Sequence, residues 1–64
     1  MSRKYNKGDI IKADYQTDGN IWYLLITDIP KGGYHYHYIC LNNGQQDLAV
    51  SRIIDTSPHY KLYA

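Results

Sequence analysis

Two histidines one residue apart, His35 and His37, are the first side chains in this sequence with the means to do chemistry. On a strand, residues two apart share a face, so their imidazoles can converge on one metal ion. Asp28 could add a carboxylate and His59 a fourth group. Zinc sites normally need three firm protein ligands. A metal-free arrangement accounts for the same residues: His35 pairs with Asp28, while His37 packs between Ile26 and Val50. No metal or other cofactor is therefore assigned, and His35, His37 and Asp28 are the residues that would hold one. Cys40 is the single cysteine. An activated thiolate needs a base or positive charge beside it, and on an extended strand Cys40 points away from both histidines. The aspartates, Asp9, Asp14, Asp18, Asp28, Asp47 and Asp55, are scattered, with no pair poised for acid–base work. Gly32-Gly33 lies between strands rather than ahead of a helix, so it is no phosphate loop. These residues read as those of a non-enzyme.

The same stretch carries the second kind of signal. Tyr34, Tyr36 and Tyr38 alternate with His35, His37 and Ile39, in a chain with eight tyrosines, one tryptophan and no phenylalanine. Tyrosine tolerates half-burial because its ring is apolar and its hydroxyl can stay wet. With Tyr23 and Leu25, the row Tyr34, Tyr36 and Tyr38 is expected to form an exposed aromatic patch. Such a patch marks a contact with a protein partner or with a second copy of the chain. The alternative is stacking of a nucleotide or single-stranded nucleic acid on the same tyrosines, with Lys12 and Lys31 supplying charge. A formal net charge of +1 argues against tight binding of a nucleic-acid polymer. A C-terminal segment around His59, Tyr60 and Tyr63 folded over the patch would hide it.

The elements that must position these side chains are strands. Residues 1–7 are polar and read as a flexible N-terminus, leaving 8–64 as one β-domain with a small core. Gly8-Asp9 precedes a first strand, Ile10 to Gln16. Asp18-Gly19 signals a hairpin, and the second strand runs from Asn20 to Ile29. Pro30-Lys31-Gly32-Gly33 connects it to the third, Tyr34 to Leu41. Asn43-Gly44 signals another hairpin into Gln45–Val50. A single 3₁₀ turn then fits 51–55, Ser57-Pro58 ends it, and His59 to Tyr63 closes the chain as a fifth strand.

Taking the hairpin loops at two, four and two residues sets the registers. Ala13 then faces Leu24, Leu24 faces Ile39, and Ile39 faces Leu48. Opposed residues share a face, so Ile11, Ala13, Tyr15, Trp22, Leu24, Ile26, Ile39, Leu41, Leu48 and Val50 are predicted as core. The opposite face collects Tyr23, Leu25, Tyr36, Tyr38 and Cys40. A one-residue slip or a bulge would exchange the faces. Ile53, Ile54 and Leu62 are expected to plug the open end.

Short strands, tight hairpins and a 3₁₀ turn before the last strand describe an all-β fold, a small five-stranded antiparallel barrel. Gly8-Asp9-Ile10-Ile11 resembles the opening strand of Src-homology-three-like barrels, and Leu48-Ala49-Val50-Ser51-Arg52-Ile53 resembles their strand-into-3₁₀ segment. These pieces cover about a fifth of the chain. The acidic loop and Pro-containing motif of the peptide-binding signalling members are missing, so a proline-rich ligand is not implied. In size and style the chain is also similar to small accessory proteins encoded by phages. One cysteine permits no internal disulfide, the longest apolar run, Ile21 to Ile26, is too short to span a bilayer, and no secretory pattern opens the chain. The expectation is a cytoplasmic protein that does not enter a membrane.

Overall fold

The computed structural model describes residues 4–14 and 19–64. Alternating apolar and polar residues form five antiparallel strands: β1 (Ile10–Asp14), β2 (Ile21–Asp28), β3 (His35–Cys40), β4 (Gln46–Val50) and β5 (Tyr60–Leu62). They make one sheet in the order β4-β3-β2-β1-β5. The expected strands are all present, each within a residue or two at the ends that can be compared. The sheet is open, with β4 and β5 as its edges, so the closed barrel expected from the sequence is not formed. Tyr15, expected in the core, lies outside the described residues.

Between β4 and β5 the chain forms a six-residue helix, α1 (Ser51–Thr56), in place of the single 3₁₀ turn. Tertiary ties hold so short a helix. The Ser51 hydroxyl donates to the Gly33 carbonyl at 2.7 Å, the Ser51 N–H donates to the Tyr34 carbonyl at 2.8 Å, and Ile54 is buried. Of the three residues expected to plug the open end, Ile54 is buried in the core; Ile53 and Leu62 are exposed.

The registers decide the faces. Ile11 pairs with Leu24 and Ala13 with Trp22, two residues from the expected pairing, so β1 and β2 keep their predicted faces. The β3–β4 pairing is likewise shifted by two, with His37 opposite Leu48. Between β2 and β3 the ladder changes step: Asp28 pairs with His37, but Ile26 pairs with Tyr38 and Leu24 with Cys40. Thr27 is the extra residue of this bulge, and its hydroxyl donates to the His37 carbonyl at 3.3 Å. One extra residue inverts the facing of every β3 and β4 side chain relative to Leu24 and Ile26.

The predicted core is therefore half right. Ile11, Ala13, Leu24 and Ile26 are buried, and Trp22 packs beside them. Leu41, Leu48 and Val50 are exposed, and Ile39 is half-buried on the outer face. Tyr36 and Cys40 take their place inside, joined by Ile54 and by Tyr5. Tyr5 comes from the segment expected to be loose, yet only 1% of it is exposed.

Candidate functional site

Tyr36, expected at the centre of the exposed patch, is fully buried. Its ring meets that of Tyr5 edge-on, with centroids 6.1 Å apart. A buried hydroxyl must find partners. Tyr36 donates to Asp55 Oδ1 at 2.7 Å and accepts the Tyr5 N–H at 3.2 Å, while the Tyr5 hydroxyl donates to the Tyr60 carbonyl at 3.2 Å. Burial, and secondarily the Asp55 carboxylate, push the Tyr5 hydroxyl above the usual tyrosine pKa. This network ties β3, α1, β5 and the N-terminal segment together. It is architecture rather than a contact surface. Tyr38 packs partly against the same core. Tyr34 lies just before β3, highly exposed, with its ring over Gly32; a Cβ there would lie 3.1 Å from the ring. The predicted row of three tyrosines on one open face does not exist.

Tyr23 and Leu25 remain where the sequence puts them, on the side of the sheet away from the core. Their neighbours there are not tyrosines from β3 but Ile10, paired with Leu25, and Ile39, paired with Leu25 on the other side. Tyr63 arrives from the C-terminus, where the Tyr63 N–H donates to the Ile10 carbonyl at 2.7 Å. Its ring meets Tyr23 edge-on at 4.9 Å between centroids. Ile10, Tyr23, Leu41, Asn42 and Tyr63 line a shallow groove of about 280 Å³. Asn42 fixes the groove wall, its Oδ1 accepting the Tyr23 N–H at 2.9 Å and its Nδ2 donating to the Ile21 carbonyl at 3.0 Å. Leu41 is 49% exposed, Leu48 52% and Tyr63 61%, which extends the apolar surface across the sheet.

Charge sits at the margins of this outer face. Lys12 pairs with Tyr23 across β1–β2 and with Lys61 across β1–β5. Asp28 stands opposite His37 at the far end, beside the bulge. His35 and His37 share the outer face, as their spacing implies, with Val50 and Leu48 as cross-strand partners. The aspartate meets His37 rather than the expected His35. Among the described residues, no three His, Cys, Asp or Glu side chains gather as ligands of one metal would. Cys40 is buried on the core side, paired with Leu24 and facing away from both histidines, and so does not share the face of Tyr23 and Leu25 as expected.

Tyr5 and Asn42 are the contributors that sequence reasoning missed; Tyr63, named as a residue that could fold over the patch, does pack against Tyr23. The absence of phenylalanine was a usable signal, because the large rings of any core had to be tyrosine or the single tryptophan. No family model, curated protein or solved structure matches this chain. Among the described residues, no helix is long and apolar enough to cross a membrane.

Proposed function

We propose that this chain is a non-enzymatic binding module that contacts protein through the outer face of its sheet, and that its partner is a second copy of itself. The carrying observation is the apolar surface around Tyr23 and Tyr63, with Leu41 and Leu48 exposed beside it. A contiguous patch of this kind usually serves an interface. The charge pattern favours a second copy. Lys12 and Lys61, with Asp14 beside them, lie at one end of the face and Asp28 at the other, so a twofold pairing can set the lysines against Asp28 around an apolar centre. A small core also gains from burying such a face. The stacking alternative loses support because Tyr36, at the centre of the expected platform, is inside the core.

The strand order and the short helix before the last strand support a Src-homology-three-like relationship for this open sheet. The separation of Cys40 from both strand histidines supports a non-catalytic role, and a buried free thiol suits a reducing cytoplasm.

Light scattering across a concentration series tests the reading. The expected result is a mass of two chains that falls to one in Leu48→Lys, with the secondary structure of the variant unchanged. A wild-type chain that stays at single-chain mass at the highest soluble concentration would exclude the second copy as partner.

A further inference from the structure

The core side of the sheet holds a second cleft, at the end where β2 and β3 run past the buried network. Its volume is about 210 Å³. Trp22 and Tyr38, both only half-buried, supply its aromatic walls, and Leu24 and Cys40 its floor. Asn43 and Gln45, from the β3–β4 loop, place amides at the rim. Asp47 stands directly across the ladder from Tyr38, so its carboxylate shares the cleft with that ring. Among the described residues the lining therefore has one acidic side chain and no basic one.

Asp47 is held in place without being neutralised by this contact. Its Oδ1 accepts the Leu48 N–H at 2.8 Å, which fixes the side chain against β4 and leaves Oδ2 able to take a second donor. Aromatic faces attract cations through the ring quadrupole, indole most strongly, and a carboxylate at the same site adds direct charge attraction. The apolar floor accommodates an alkyl stem, as lysine and arginine side chains bury theirs while keeping the charged end paired.

We propose that the Trp22–Tyr38–Asp47 cleft is a binding site for an organic cation, the ammonium or guanidinium of a basic side chain. It differs from the outer face in chemistry as well as position. The outer face is apolar with lysines and aspartates at its margins, whereas this cleft is aromatic, amide-rimmed and acidic.

The chain has one tryptophan, so its fluorescence reports on the cleft directly. The wild-type protein would be titrated with N-acetyl-arginine amide, tetramethylammonium chloride and the neutral isostere neopentyl alcohol, at constant ionic strength. Saturable change with arginine amide and not with the alcohol is expected; a response to tetramethylammonium as well means that charge and size suffice, and a response to arginine amide alone means that hydrogen bonding is required. Asp47→Asn keeps the oxygen that accepts the Leu48 N–H and should weaken arginine-amide binding by about tenfold, with an unchanged melting temperature. Equal responses to the alcohol, no saturable response to either cation, or undiminished affinity in Asp47→Asn would overturn the proposal. Each result is independent of whether the outer face pairs two chains.

Discussion

The two rows of β3 are built from the same alternating stretch and meet opposite fates. Tyr36 and Cys40 lie in the core, with Tyr38 packed at its margin; His35, His37 and Ile39 lie half-buried on the outer face. The outer row carries the one isoleucine of β3 but also both of its histidines, so hydrophobicity alone does not set it inside. The tyrosine row goes in because each polar cost is met. The Tyr36 hydroxyl reaches Asp55 on α1, and the Tyr5 N–H reaches the Tyr36 hydroxyl. Ring area is buried and the hydroxyl is satisfied, so tyrosine does the work that phenylalanine would do elsewhere. A tyrosine-rich row is thus not in itself a surface. Its side of the sheet is set by the register and by whether partners for its hydroxyls exist.

That comparison can be broken most sharply at Tyr36. Tyr36→Ala removes a buried ring and takes the hydroxyl donor from Asp55 Oδ1, and should cost about 3–5 kcal/mol in chemical unfolding, enough to threaten folding in a domain of this size. Tyr36→Phe keeps the ring but leaves the Tyr5 N–H and the Asp55 carboxylate without their partner. It should cost about 1–2 kcal/mol by the same measurement. A smaller effect belongs to Tyr5. Its raised pKa means that the folded state favours the neutral hydroxyl. That contribution is whole below about pH 10, the usual tyrosine value, and is lost as pH rises through the folded-state value. Stability measured against pH should therefore fall on the alkaline side, and Tyr5→Phe should make that fall shallower.

Much of the fold was legible from the chain. The strands β1 to β5 follow from alternation and from Asp18-Gly19, Pro30 to Gly33 and Asn43-Gly44, since turn residues and period-two patterning are local signals. The β1–β2 facing survived a change of register because that shift was by two. The candidate site was only partly legible. Tyr23 and Leu25 were placed on the correct side, but Thr27 carries no mark in the sequence that it would bulge, and one residue moved the β3 tyrosines inward. Tyr5 was read as part of a loose polar end because its partners, Tyr36 and Tyr60, are 31 and 55 residues away. Long-range polar pairing leaves no periodicity to read. The α1 helix was missed for the same reason: its ties run to Gly33, Tyr34 and Tyr36 rather than along its own sequence.

The bulge at Thr27 is the central claim, because it decides which row of β3 is core. The most direct test is paired urea unfolding of Tyr36→Ala and Ile39→Ala against the wild-type chain. The inward tyrosine row predicts a loss for Tyr36→Ala several times that for Ile39→Ala, which should stay at about 1 kcal/mol for a half-exposed side chain. A loss for Ile39→Ala equal to or larger than that for Tyr36→Ala would contradict it and return the tyrosines to the surface.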